Sequence, residues 1–274
     1  MARIPVTDQL QGLTSIKSLL IRRGSGELVL KITAKQQLIR EIVDILSVLT
    51  DVAKVSLGEK GLSVKVVDGA HVALISATIA DECFEIYEVE PVELGLELAR
   101  MRDLLSLAGS GDLVQMDYDG TNIKMKVGEV LMTLRALDVS VIEEPNIPEL
   151  DLKSKATISS EQFSRALRAA KFLSSQVNLD MDSNHLMVSV QNEDGQSVNV
   201  KFESGELSEL TCASPAQTTY ILGSLSELTR KLASLTDEVS LEFDTKYPMK
   251  LTWVSNEGGA RWEYYLAPRV ATDP

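Results

Sequence analysis

Asp112-Leu-Val-Gln-Met-Asp-Tyr-Asp119 alternates apolar and polar residues, and Asp237-Glu-Val-Ser-Leu-Glu-Phe-Asp244, 125 positions further on, does the same. Alternation with period two is the pattern of a strand with one buried face. At the same spacing Leu107-Ala108 falls on Leu232-Ala233, and Gln37, Leu38, Arg40 and Ile42 fall on Gln162, Phe163, Arg165 and Leu167. After one deletion, Leu62-Ser-Val-Lys-Val66 falls on Leu186-Met-Val-Ser-Val190. Several matches in one order at one spacing point to a duplicated unit.

Each half then predicts the same elements in the same order. A strand (Leu28–Ile32; Lys155–Ile158) leads to a long helix (Ala34–Leu49; Ser160–Leu173). Further strands follow, then a second helix (Glu97–Ala108; Ser224–Ser234) and three closing strands. Thr33 and Ser159 are the expected N-caps. Leu38, Ile42, Ile45, Leu46 and Leu49 form the apolar stripe of the first helix, and Phe163, Leu167, Ala170 and Leu173 that of its counterpart. Strand signals include Leu62–Val67, Val72–Ile79, Leu131–Leu137, Val198–Phe202 and Leu251–Val254. Gly58-Glu-Lys-Gly61 reads as a hairpin turn. Two helices on one face of antiparallel sheet, repeated, is an α+β layered fold.

The halves are joined by Asp138-Val-Ser-Val-Ile-Glu-Glu-Pro-Asn-Ile-Pro-Glu-Leu-Asp-Leu152, where Pro145 and Pro148 exclude helix and central strand. Its apolar residues Val141, Ile142, Ile147 and Leu150 either pin it to the body or dock a partner. The expected division is 1–27 as an N-terminal extension, 28–137 and 153–270 as the two repeats, 138–152 as connector and 271–274 as a tail.

The chain has 274 residues, 44% hydrophobic and 24% charged, with a net charge of −13. That composition is globular. No apolar run approaches the length of a membrane span, and polar residues interrupt the N-terminus where a signal peptide would be apolar. Cys83 and Cys212 are far apart and form no CxxC, which suits a reduced intracellular protein. An acidic balance argues against phosphate contacts unless the positive charge is concentrated. It is: the four expected helices hold nine basic residues (Lys35, Arg40, Arg100, Arg102, Arg165, Arg168, Lys171, Arg230, Lys231) against six acidic, while the rest holds 18 basic and 34 acidic. Gathered on one face, those helices would accept DNA while the remainder repels it; otherwise they are ordinary solvated faces. His71 and His185 lack metal-ligand spacing with the cysteines, and no Walker loop, GxSxG, HExxH or GxGxxG occurs. The expectation is a protein with no catalysis, metal or cofactor.

Three stretches carry a resemblance. Val67-Asp-Gly-Ala-His-Val-Ala-Leu-Ile75, Leu137-Asp138 followed by Ile147-Pro148-Glu149, and Tyr265-Leu-Ala-Pro-Arg-Val270 are similar to segments of the proliferating cell nuclear antigen family, the sliding clamps of archaea and eukaryotes. The likeness runs over about Leu28 to Val270. It implies a ring-forming DNA-clamp fold: three copies joined head to tail, helices lining the hole, the nine basic residues facing phosphates of double-stranded DNA, and no sequence reading. It implies pairing of the strand near Val130–Ala136 with one near Ser197–Phe202 of the next copy. It also implies partners, namely DNA polymerase, clamp loader, flap endonuclease and ligase. Their docking peptides, a Gln followed by an aliphatic and two aromatics, would meet His71, Val72, Leu74, Ile147, Pro248, Ala267 and Pro268. The rival readings are a subunit of a heterotrimeric or checkpoint-type clamp, an acidic scaffold that never meets DNA, and an enzyme with a spatially assembled site. Residues 1–27 depart from the family, which usually starts near Leu28. Leu10, Leu13, Ile16 and Leu20 suit an amphipathic helix, Arg22-Arg23-Gly-Ser-Gly26 a linker, and the segment reads as an inert tail, a regulatory arm or a self-docking segment.

Overall fold

The computed structural model describes residues 28–256 and 259–269; the expectations for 1–27 and 271–274 lie outside them. The first half runs β1 (Leu30–Lys35), α1 (Gln36–Leu46), β2 (Val52–Gly58), β3 (Gly61–Val67), β4 (Ala73–Ala80), β5 (Ile86–Val89), β6 (Val92–Glu97), α2 (Leu98–Leu105), β7 (Leu113–Tyr118), β8 (Asn122–Val127) and β9 (Val130–Arg135). The second half repeats it: β10 (Ser154–Ser159), α3 (Ser160–Lys171), β11 (Gln176–Met181), β12 (His185–Gln191), β13 (Ser197–Glu203), β14 (Glu209–Cys212), β15 (Ala216–Ile221), α4 (Gly223–Leu232), β16 (Glu238–Glu242), β17 (Met249–Val254) and β18 (Ala260–Leu266). The fold is α+β, a duplicated unit of two helices on antiparallel sheets.

Equivalent backbone bonds recur in both halves. Gln36 donates to the Asp112 carbonyl and Ser160 to that of Asp237, each at 2.9 Å; Leu98 donates to Asp51 and Leu222 to Ser175. These pairs set Gln36 on Ser160, so the helices align at a spacing of 124, one less than the matched Gln and Arg residues suggested. Buried positions agree, with Ile39, Val43 and Leu46 falling on Phe163, Leu167 and Ala170. The shared Gln and Arg misled because they are not structurally equivalent: Arg40 is half-buried and bonded to the Leu105 carbonyl, whereas Arg165 is exposed. Leu38 is accordingly half-exposed and Ile39 takes its place in the stripe. Thr33 is buried inside β1 rather than capping, and Lys35 stands at the cap position, where its side chain makes no capping hydrogen bond. Ser159 does cap, accepting from the Gln162 N–H at 3.5 Å.

Each half builds a five-stranded and a four-stranded antiparallel sheet in equivalent orders: β5-β1-β7-β8-β9 and β6-β2-β3-β4, then β14-β10-β16-β17-β18 and β15-β11-β12-β13. The halves are fused because β4 pairs with β18, Trp262 facing Ala77 and Leu266 facing Ala73, making one nine-stranded sheet. The equivalents of those two strands, β9 and β13, remain as free edges of the other two sheets. Beyond the β4–β18 ladder the Ala80 N–H donates to the Gly259 carbonyl at 3.3 Å. The equivalent N–H, that of Glu203, donates instead to the Glu206 carboxylate at 2.9 Å within a capping box.

The core lies between helices and sheets in both halves and is continuous, from Leu30, Ile45 and Ile79 to Phe163, Tyr220 and Tyr264. Among the described residues no helix is long and apolar enough to cross a membrane. Gly58 and Gly61 bound the expected hairpin turn, and Gly61 is required: its φ is +120°, and a Cβ there would sit 2.0 Å from the Ile79 carbonyl oxygen.

Candidate nucleic-acid interface and docking surface

The four helices form one layer. α1 packs on α2, α3 on α4, and α1 touches α4 across the halves. One acidic residue marks the shared face: Asp44 of α1 lies 3.9 Å from Arg102 Nε of α2 and 3.9 Å from Lys231 Nζ of α4. Three helices therefore present side chains to the same side. Within their observed bounds the helices carry eight basic and five acidic residues, a net of +3 in a chain of −13.

The basic residues differ in availability. Arg100, Arg102, Arg165, Arg168, Lys171 and Arg230 are exposed. Arg165 lies 2.9 Å from Glu161, and Arg100 lies within 4 Å of Glu97 and Asp103, contacts that surface solvation keeps weak and exchangeable. Lys231 is half-buried against Asp44. Lys35 is exposed at the start of α1, outside the helix proper. Arg40 is committed elsewhere: its Nε donates to Gln36 at 2.9 Å and its Nη2 to the Leu105 carbonyl at 2.5 Å. A cation at the last carbonyls of a helix satisfies the helix end and its dipole, so Arg40 ties α1 to the end of α2. In sequence it resembles any other helical arginine, because the carbonyl it serves is 65 positions away.

Of the positions expected to meet a docking peptide, Val72, Pro248, Ala267 and Pro268 come together where β4 meets β18. The Ala267 N–H donates to the Val72 carbonyl at 2.8 Å, bringing the loop before β4 beside the chain after β18. Val72 is 39% exposed; Leu74 is buried at 7%. Pro248, Ala267 and Pro268 are half-buried, and Tyr247, exposed beside Pro248, joins them without having been expected. His71 holds φ +56°, after Asp68 has drawn in the N–H groups of Val72 and Ala73 at 2.8 and 2.7 Å. The connector passes this place, with Glu143 Oε1 3.6 Å from His71 Nδ1. Ile147 is half-buried further along it.

The connector is fastened by charge and by shape. Glu144 lies 2.5 Å from Lys54 and 3.6 Å from Lys65. The Lys54 ammonium holds its carboxyl below the usual range, and Lys54 is raised in turn. The Ser140 hydroxyl and N–H depress Asp138 likewise. Leu137 donates to the Gly95 carbonyl at 2.9 Å, and at Gly95 a Cβ would lie 2.6 Å from the Leu137 oxygen and 3.0 Å from Ile142 Cδ1. Ile142 therefore pins the connector, while Val141, among the most exposed apolar residues described, does not.

Among the described residues no group of three His, Cys, Asp or Glu side chains is placed to hold a metal. Neither Cys83 nor Cys212 is in a disulfide.

Comparison with known proteins adds four likenesses. Residues 29–135 match the family model of the proliferating cell nuclear antigen N-terminal domain. A DNA polymerase sliding clamp from Methanothrix thermoacetophila is 32% identical over 245 residues, 88% of this chain and 99% of that protein. One from Methanococcoides burtonii is 30% identical over 246 residues, 89% and 99%. Among solved structures, the C-terminal region of FEN-1 bound to A. fulgidus PCNA matches with a TM-score of 0.83 at 28% identity, covering 89% of this chain and 100% of that one.

Proposed function

The chain belongs to the proliferating cell nuclear antigen family of DNA polymerase sliding clamps, and on that premise we propose that three copies close into a ring around duplex DNA and tether replication and repair enzymes to it. The observation that carries this reading is the helix layer: four helices, one face, a net positive charge in an otherwise acidic chain. A ring retains DNA by topology, so each phosphate contact can be weak and screened while the ring slides. Arg100, Arg102, Arg165, Arg168, Lys171 and Arg230 are the exposed cations for that wall, with Lys35 and Lys231 at its margins. Nothing in the arrangement reads bases; no groove-filling recognition helix or stacking platform is needed.

The free edges β9 and β13 supply the joints. Each chain spends one β4-type and one β18-type edge on its own fusion and keeps one of each, so copies join head to tail and the contact is heterologous. The surface around Val72, Pro248, Ala267 and Pro268 takes the docking peptides of polymerase, clamp loader, flap endonuclease and ligase; the A. fulgidus relative carries a FEN-1 segment. An apolar patch beside the connector suits a short peptide anchor.

The test is polymerase processivity on primed circular DNA with a loader. The double variant Arg165→Glu/Arg168→Glu is expected to lose most of the stimulation while light scattering still gives three copies. Undiminished processivity would remove these residues from the DNA-facing wall, and a lone chain that stays monomeric would favour a heterotrimeric clamp.

A further inference from the structure

The internal joint between the halves is a template for the joint between copies, and its register transfers residue by residue. Met132 holds in its sheet the place of Tyr264, since both lie opposite equivalent residues (Met125, Leu251) of the preceding strand. Val200 holds the place of Ala77 by the same comparison with Val188 and Val64. In the internal joint Trp262 faces Ala77 and Arg261 faces Thr78. Transferred, Val130 faces Val200, Met132 faces Val198 and Glu129 faces Lys201. One step past the other end, Ala267 bonds Val72 internally; its equivalent Arg135 meets Gly195, directly after the acidic turn Glu193-Asp194.

Burial supports the transfer. Trp262, Tyr264 and Leu266 are all buried under β4. Their equivalents Val130, Met132 and Leu134 are exposed or half-exposed, as are Val198 and Val200. These apolar side chains lack the cover their counterparts have, and each other's surface is the cover that fits.

The opposite-charge pairs at the two ends have no counterpart in the internal joint, where Arg261 faces Thr78 and Ala267 bonds Val72. We propose that β9 of one copy pairs antiparallel with β13 of the next in this register, with Glu129 against Lys201 and Arg135 against Glu193 and Asp194, so that ion pairs frame an apolar centre and make the joint between copies, unlike the internal one, sensitive to salt. This rests on the ring reading above. Directly opposed charges in antiparallel strands attract when unlike and repel when like, so the frame also favours this register: a shift of two residues takes Glu129 off Lys201, setting it against Asn199 in one direction and against Glu203 in the other. Lys201 lies 2.9 Å from Glu203 in the single chain, an exposed pair that Glu129 joins rather than displaces.

The full-length chain is measured by light scattering and sedimentation across protein concentration in low and high salt. The wild type is expected to assemble as three copies and to dissociate more readily as salt rises. Glu129→Lys/Arg135→Glu is expected to weaken assembly at least about tenfold, reversing attraction at two cross-strand sites. Adding Lys201→Glu, Glu193→Lys and Asp194→Lys is expected to restore it. Unaltered assembly of the first variant, or no recovery in the second, overturns the register. Val130→Asp/Val200→Asp separates the two readings: if it dissociates the ring while the charge variants do not, the ring stands and the ionic frame falls. A wild type that is monomeric, or that halts at two copies by pairing β9 with itself, overturns both. Circular dichroism melts of the dissociated variants confirm that the single chain keeps its fold.

Discussion

Arg40 and Leu105 are joined across the first half: the Arg40 Nη2 donates to the Leu105 carbonyl at 2.5 Å, at the last residue of α2. The side chain thereby serves the fold before it could serve the proposed DNA-facing wall. Arg40→Ala is expected to destabilise the protein by about 1.5–3 kcal/mol, the range for a hydrogen bond made by a charged group. Urea denaturation measures this. The dependence of DNA retention on salt should stay near wild type, and a slope reduced by about one unit would instead count Arg40 among the phosphate contacts.

At the docking surface, neighbouring residues should separate binding from stability. Val72→Asp places a charge on a surface position and is expected to shift stability by under about 0.5 kcal/mol. It should weaken a docking peptide at least about tenfold, since an anchoring side chain would meet a carboxylate in place of apolar surface. Leu74→Ala should do the reverse, costing about 2–5 kcal/mol through a core cavity. Calorimetric titration with a Gln-aliphatic-aromatic peptide, alongside melts of both variants, decides it.

Gly95→Ala tests the connector's seat. The added Cβ would press on the Leu137 oxygen, which is backbone and cannot rotate away. Overpacking of this kind costs about 1–3 kcal/mol. The expected signature is faster proteolysis between 138 and 152 with a lowered Tm. Unchanged cleavage would mean the connector shifts freely over β6.

The Glu144 latch should respond to acid. Its folded carboxyl titrates below the unfolded one because Lys54 sits beside it. The stabilisation is therefore complete above the ordinary glutamate range, about 4–5, and is lost as pH falls through the depressed folded value. Protection of the connector amides against hydrogen exchange, relative to the intrinsic rate at each pH, should fall over that interval in the wild type. In Glu144→Gln that protection should be low and flat from neutral pH downward. A wild-type profile flat to pH 3 would show that shape, through Gly95 and Ile142, holds the connector unaided.

The duplication was legible because strand alternation survives divergence: β7 and β16 keep the period although few residues are identical. The helices were legible to within a few residues, with α1 shorter than expected because Thr33, Ala34 and Lys35 extend β1. The short strands β5 and β14 carry too few residues to show a period, and only their pairing with β1 and β10 makes them strands. The basic wall could be counted but not sorted. Whether an arginine is free or serves a distant carbonyl, as Arg40 does, depends on tertiary neighbours that local sequence does not encode. The docking positions rested on the resemblance, and adjacency of Val72 with Ala267 is a product of the β4–β18 fusion, which no local pattern announces.

The contrast between Ala80 and Glu203 bears on how the proposed ring would admit DNA. Joints in a circle of three copies would alternate in kind. In one, Ala80 depends on Gly259 across the divide and parting would orphan a backbone donor; in the other, Glu203 is satisfied by Glu206 from its own side. Hinged apart, the latter leaves this corner with its donor already engaged. Entry would thus fall at every second joint, three equivalent doors, and a clamp held ajar would present one less sticky end to its neighbours.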